Sequence, residues 1–170
     1  MNLEAIFFDR DGVINKDYGY VYKKNDVNFI EGVVDYCNFL RKNTKKFIVT
    51  NQAGIARGLY NSQQLNELMS FIFEYFEEHN IIFDDWRYCP HHPSFTGKCK
   101  CRKPEPGMLI ELLNLYSIDP KNSVLIGDKL SDINAGLSSG IKANILLNMS
   151  NQKLNNSSLE EEHMHVAKNF

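Results

Sequence analysis

Long apolar runs are missing from this sequence. Over 170 residues the longest uninterrupted one is Ala5 to Phe8, far short of the roughly 20 residues a membrane-spanning helix needs, so no membrane partner is expected. An excess of charge is missing too. Nineteen basic residues against 21 acidic ones leave a net charge of −2, and without a basic stripe nucleic acid is not an expected partner either. The chain opens Met1-Asn2-Leu3-Glu4, with no basic stretch ahead of an apolar one, so no secretion signal is read and a cytoplasmic location is expected. Low-complexity sequence is confined to Ser150–Glu162, a polar and acidic segment read as a mobile excursion. Cysteine is scarce. Four are present, and three of them, Cys89, Cys99 and Cys101, crowd into one stretch, which in a reducing compartment points to a metal before a disulfide. With 43% of its residues hydrophobic, the chain can bury a real core, and residues 1–170 are read as one domain, a monomer by default.

The apolar residues alternate between strand-like runs and helical stripes. Leu3–Phe8 reads as a buried strand that stops at Asp9-Arg10-Asp11-Gly12, and Phe47-Ile48-Val49 as a second that stops at Thr50-Asn51-Gln52. Between them Val33, Val34, Cys37 and Leu40 share a helical face, with Cys37 read as core. Asn61 and Gln64 have the form of a capping box, and Leu65, Leu68, Met69, Ile72 and Phe76 follow at helical spacing. A strand at Trp86–Cys89, an irregular stretch from Pro90 to Pro104 and a helix from Pro106 come next. The remaining elements are a strand at Val124–Ile126, a short helix at Asp132–Ser138, a strand at Ala143–Leu147 and an edge strand within His165–Phe170. Alternating strands and helices, with strands apolar throughout, predict an α/β fold with a doubly wound parallel sheet covered on both faces. In such sheets ligands gather at the carboxyl ends of strands, where Asp9, Thr50 and Asp128 all stand.

Asp9 and Asp11 are two residues apart in extended backbone, so both carboxylates can face one reacting atom. A lone Asp-x-Asp-Gly is more often a solvated turn. Here a second acidic pair, Asp128 and Asp132, follows another strand end, and an oxygen-rich set of this kind suits Mg²⁺. Taken together, Asp9-Arg10-Asp11-Gly12-Val13, Val49-Thr50-Asn51, Lys103 and Gly127-Asp128-x3-Asp132 resemble the four ordered motifs of haloacid dehalogenase-like phosphatases. The resemblance implies that Asp9 is the nucleophile, that Asp11 is acid and then base, and that Thr50 and Lys103 stabilise the phosphoryl group. By the same resemblance Asp9, Asp128 and the main-chain carbonyl of Asp11 hold magnesium, and Asp132 holds Lys103 in place. No insertion long enough for a separate cap domain is seen.

Cys89-Pro90-His91-His92 and Cys99-Lys100-Cys101 bring thiols and imidazoles together around a short loop, the donor set of a closed tetrahedral zinc site, with His91 and His92 competing for one position. Cys-Pro-His-His-Pro followed by Cys-x-Cys-Arg-Lys-Pro resembles the zinc loop of heptose-bisphosphate and histidinol phosphatases, and that resemblance selects Cys89, His91, Cys99 and Cys101 as ligands of a structural Zn²⁺ in a loop spanning 89–101. Asn51–Gly58, Cys101–Met108 and Gly127–Leu130 resemble the heptose-bisphosphate members more closely, whereas the short His91–Cys99 spacing is nearer to the histidinol type. A small-molecule sugar bisphosphate is therefore the expected substrate, in ADP- or GDP-heptose synthesis, with histidinol phosphate as the alternative and a non-catalytic zinc-stabilised binding module as a third reading. By the same resemblance Asp17, Tyr18, Gly19, Tyr20, Asn51, Gln52, Ala53, Arg102 and Lys129 contact substrate. Arg102 and Lys129 would clamp the second phosphate, with Arg57 as a lesser candidate.

Overall fold

A chain whose strands are apolar on both faces has to bury them between two helical layers, and it does. The computed structural model describes residues 3–147, 164–167 and 170. Strands β1 (Ala5–Phe8), β2 (Lys45–Asn51), β3 (Asp85–Cys89), β4 (Ser123–Gly127), β5 (Ala143–Leu147) and β6 (Met164–Ala167) form one sheet in the order β3-β2-β1-β4-β5-β6. Every neighbouring pair is parallel. Parallel neighbours need crossovers, which carry α1 (Val33–Phe39), α2 (Ser62–Glu78), the single turn α3 (Pro93–Thr96), α4 (Gly107–Leu115) and α5 (Leu130–Ser138).

Alternation along β1 divides the core. Ile6 and Phe8 pack with Val33 and Cys37 of α1 and with Leu65, Leu68, Met69, Ile72 and Phe76 of α2. Ala5 and Phe7 face the other way, onto Met108, Leu109, Leu112 and Leu113 of α4. Between β1 and α1 the described chain holds only loops and one 3₁₀ turn, Lys24–Asp26, so no folded unit covers the sheet edge there. Numbering the strands from the centre, β2 and β3 lie to one side of β1 and β4, β5 and β6 to the other. The order therefore reverses between β1 and β4, and the crevice that this reversal opens lies at their carboxyl ends, beside Asp9 and Asp128.

The expected elements are present with shifted ends. β2 extends beyond its apolar centre because Lys45 and Lys46 pair with Ala5 and Ile6 of β1. Pro106 is the residue before α4 rather than its first residue, and α5 begins at Leu130, two residues ahead of Asp132, because the Asp132 carboxylate accepts from the Lys129 backbone N–H at 3.0 Å and caps the turn. The stretch expected to be irregular contains α3, started by His92, whose Nδ1 accepts from the Ser94 N–H at 3.2 Å. β6 lies at the sheet edge, as expected of the last segment. The polar excursion expected at 150–162 falls outside the described residues.

α2 has the reciprocal cap expected of it. Asn61 Oδ1 accepts from Gln64 N–H at 2.9 Å, and Gln64 Oε1 accepts from Asn61 N–H at 3.0 Å. Asn61→Ala should lower the unfolding free energy by about 1 kcal/mol in urea denaturation, with an unchanged m-value.

Candidate active site

Asp9 is the first residue past β1, with its N–H donating to Ile126 O at 2.9 Å, so the end of β4 fixes where its side chain starts. That side chain meets Lys103, whose buried ammonium spends its three protons on Asp9 Oδ1 at 2.7 Å, Asp132 Oδ1 at 2.7 Å and the Val49 carbonyl at 2.8 Å. The main chain of Lys103 is held as well. Its N–H donates to Asn51 Oδ1 at 3.1 Å, and Asn51 Nδ2 donates back to Lys103 O at 3.0 Å. Burial alone would lower the Lys103 ammonium, but Asp132 and Asp9 outweigh it and hold it above its usual value. Asp9 is pushed up to about 8, chiefly by burial, with Lys103 opposing and Asp132, Asp128 and Asp11 adding to the rise. Asp128 is pushed up to about 6, again by burial first, with Lys129 opposing.

These carboxylates are more than one ammonium can neutralise. Asp9, Asp128 and Asp132 offer oxygens within 4.8 Å of one another, while Lys103 is the one buried cation paired with any of them among the described residues. Asp128 Oδ1 is buried with no hydrogen-bond partner, and its carboxylate lies against Gly12, where a Cβ would run into it. An excess of negative charge, an unpartnered buried oxygen and an all-oxygen donor set fit Mg²⁺.

Asp11 is held apart from that cluster. Arg10, fully buried, places Nη2 at 2.8 and 2.7 Å from its two carboxylate oxygens and donates again to Val21 O at 2.7 Å. Asn15 Nδ2 at 3.1 Å and Gln52 Nε2 at 3.0 Å complete its partners. Gln52 Nε2 also donates to Thr50 Oγ1 at 2.7 Å, and its Oε1 accepts from the Tyr60 hydroxyl at 2.6 Å. The Thr50 hydroxyl therefore accepts, and among the described residues it donates to no protein group, which leaves its proton for a ligand. Tyr60 lies directly over Gly54, where a Cβ would meet its ring. Arg10, Asn15 and Tyr60 went unassigned in the sequence. Only Arg10, set between two aspartates, carried a signal there.

Above these groups is a pocket of about 480 Å³. Asp9, Asp11, Thr50 and Lys103 line it together with Asp17, Gly19, Tyr20, Asn51, Gln52, Ala53, Arg102 and Lys129, and so do Tyr60, His92, Ser131 and Asp132. Tyr18 does not; its ring is exposed on the outside. Lys129 Nζ is paired with Asp17 at 2.9 Å and lies 3.6 Å from Asp128, whereas Arg102 donates to His91 O at 3.1 Å.

Cys89, His91, Cys99 and Cys101 converge beside the pocket. Cys89 and Cys101 sulfurs are 3.0 Å apart, Cys89 and Cys99 3.6 Å, Cys99 and Cys101 3.5 Å, and His91 Nδ1 lies 3.6 Å from Cys89 and 3.3 Å from Cys101. With metal–sulfur bonds of ~2.3 Å the edge of a tetrahedron is about 3.8 Å, so the four donors need little adjustment to enclose Zn²⁺. His92 is turned away into its cap on α3, which resolves the competition in favour of His91. Cys37 is in the core, its thiol pushed up to about 12 by burial.

Comparison with known proteins agrees with this geometry. Residues 100–170 match the family model described as HAD-hydrolase-like. The chain is 44% identical over 149 residues to the D-glycero-alpha-D-manno-heptose-1,7-bisphosphate 7-phosphatase of Campylobacter jejuni, covering 87% of this chain and 84% of that one. The chain belongs to the haloacid dehalogenase-like phosphatases. It is also 40% identical to the D-glycero-beta-D-manno-heptose-1,7-bisphosphate 7-phosphatase of Haemophilus influenzae, over 85% of this chain and 81% of that one. Among solved structures of the family, the D,D-heptose 1,7-bisphosphate phosphatase from B. bronchiseptica complexed with magnesium and phosphate superposes with a TM-score of 0.87 at 28% identity, covering 98% of this chain and 93% of that one.

Removing the central cation should expose how much the site depends on it. Lys103→Met leaves two buried carboxylates without their shared partner, and the unfolding free energy measured in urea without metal should fall by about 3–5 kcal/mol; a fall of under about 1 kcal/mol would show that water already serves these carboxylates.

Proposed function

We propose that the protein is a magnesium-dependent phosphatase that removes the 7-phosphate of D-glycero-D-manno-heptose 1,7-bisphosphate by way of an aspartyl-phosphate on Asp9. The observation that carries this reading is the Lys103–Asp9 pair at the floor of a pocket that also presents Thr50 and Asp11, in a chain 44% identical to a named heptose-bisphosphate phosphatase. Asp9 attacks phosphorus, and the bond from phosphorus to the sugar oxygen breaks. Asp11 gives its proton to that oxygen, then takes a proton from the water that attacks phosphorus. Orthophosphate leaves and the Asp9 carboxylate is restored. Lys103 and the Thr50 hydroxyl stabilise charge on the phosphoryl oxygens throughout. Gln52, braced by Tyr60, and Arg10 keep Asp11 in position between its two proton transfers.

Magnesium bound by Asp9, Asp128 and the main-chain carbonyl of Asp11 supplies the positive charge that lets a phosphate dianion approach a carboxylate. Cys89, His91, Cys99 and Cys101 hold a structural zinc, a closed set without a position for water. With a metal bound there, Cys101 would fix the backbone that carries Arg102 and Lys103. The substrate is a small sugar bisphosphate and the chain works as a single-domain, cytoplasmic monomer, in ADP- or GDP-heptose synthesis.

Four measurements test this. Phosphate release from both anomers of heptose 1,7-bisphosphate and from histidinol phosphate should favour a heptose substrate in kcat/KM, with the 1-phosphate left on the product. Asp9→Asn should reduce kcat by about 10⁴-fold or more, and retained activity would exclude the covalent route. Because Asp9 and Asp128 hold protons up to about 8 and about 6 in the metal-free protein, and ligands must be ionised to bind, magnesium uptake at pH 7 should release protons in a weakly buffered titration. Apparent affinity should then weaken as pH falls through that window. Metal analysis should give one zinc per chain, and Cys99→Ala should lose it together with thermal stability.

A further inference from the structure

Around the mouth of the pocket the cations differ in what already holds their charge. Lys129 is committed, with Asp17 at 2.9 Å and Asp128 at 3.6 Å. Among the described residues neither Arg102 nor Arg57 has a carboxylate within ion-pair reach. Both charges bear on His92, which lines the pocket. Arg57 is on the turn that follows Gln52. Its N–H donates to Ala53 O at 3.2 Å, and the neighbouring Ala56 N–H donates to Pro90 O at 3.2 Å, which ties the turn to the loop carrying the four metal donors.

The Arg57 guanidinium has an unusual setting for an exposed arginine. Its carbon lies 5.5 Å from the Tyr20 ring centroid and 5.3 Å from that of Phe95, two exposed rings that come from the loop after β1 and from α3. Tyr20 reaches this place with φ at 55°, a left-handed conformation unfavourable for a residue with a Cβ. Cation–ring contacts use no N–H group, and among the described residues the Arg57 guanidinium makes no hydrogen bond, which leaves its N–H groups for planar acceptors such as phosphate.

We propose that Arg57, which does not line the pocket but lies against the pocket residue Tyr20, is a specificity-determining residue, its guanidinium placed beside the Tyr20 and Phe95 rings to meet, with Arg102, the substrate phosphate that is not cleaved. The assignment rests on the bisphosphate reading above and places Lys129, already neutralised by Asp17, in a lesser part for that phosphate. A cleaved phosphate on the Asp9 floor puts the far end of a sugar at the mouth, where the uncommitted charge is.

The test compares heptose 1,7-bisphosphate with heptose 7-phosphate on the magnesium-loaded full chain. Arg57→Gln should raise KM for the bisphosphate roughly tenfold or more, the worth of a charge-assisted hydrogen bond, and move KM for the monophosphate much less. Arg57→Lys, which keeps the charge but not the planar fork, should fall between. Tyr20→Leu with Phe95→Leu should weaken the same discrimination by freeing the arginine. Equal changes on both substrates, or lost zinc in Arg57→Gln, would make Arg57 a brace for the loops and overturn the proposal. If wild-type protein leaves heptose bisphosphate intact, the substrate reading fails by itself, and inhibition of p-nitrophenyl phosphate hydrolysis still decides the role of Arg57. In that assay, weaker inhibition of Arg57→Gln by fructose 1,6-bisphosphate but not by fructose 6-phosphate upholds the proposal, and equal inhibition of both proteins by the bisphosphate overturns it.

Discussion

The Lys103 ammonium is the point on which the site depends, because three separately folded segments terminate on its three protons. Asp9 comes from the end of β1, the Val49 carbonyl from β2 and Asp132 from the first turn of α5. A buried ammonium is costly unless paired and hydrogen-bonded, so each of these elements is held in register by the need to satisfy one nitrogen. Lys103 itself arrives on a loop that has few apolar residues. What places it is the cluster of thiols two residues upstream and the double hydrogen bond to Asn51. The cysteine–histidine cluster and the buried lysine are therefore coupled through two residues of backbone.

Surplus charge gives this arrangement its chemistry. One buried ammonium, and a half-exposed one that Asp128 shares with Asp17, face three carboxylates, and burial has removed much of the water that would otherwise dissipate their repulsion. Such a cluster takes up protons or a divalent cation, and a phosphate can then approach. Asp11, two residues from Asp9, lies outside the cluster because Arg10 and Gln52 hold it to the side. Two aspartates in one short motif thus receive different environments.

The mouth is built on other principles than the floor. Below, the polar groups are buried or half-buried and most are paired within the protein, Asp128 Oδ1 being an exception. Above, exposed rings and cations come from loops and the single turn α3, with Tyr20 and Phe95 beside one guanidinium and Asp17 neutralising the neighbouring lysine. A floor built at strand ends with a mouth assembled from connecting segments is a division that allows one phosphoryl chemistry to serve different leaving groups, since loops can change without disturbing the sheet.

Strand and helix positions were legible because burial on both sheet faces demands continuous apolar runs, and the ends of those runs marked Asp9, Thr50 and Asp128. The boundaries of β2 and α5 were less so. Sheet neighbours extended the first, and a side-chain cap within the site extended the second. The ordered motifs, the four metal donors and most pocket residues could be named from local pattern and resemblance. Tyr60, eight residues from Gln52, could not, because nothing in a turn indicates that its hydroxyl will reach an amide. Neither could the pairing of Lys129 with Asp17, 112 residues away, nor the approach of Arg57 to rings from a loop and from α3. By itself the sequence determined which residue types stand at each strand end, since hydrophobic periodicity and turn chemistry are local. Tertiary structure alone decided which cations are neutralised and which remain available, because charge pairing depends on distances across the fold that no local pattern records.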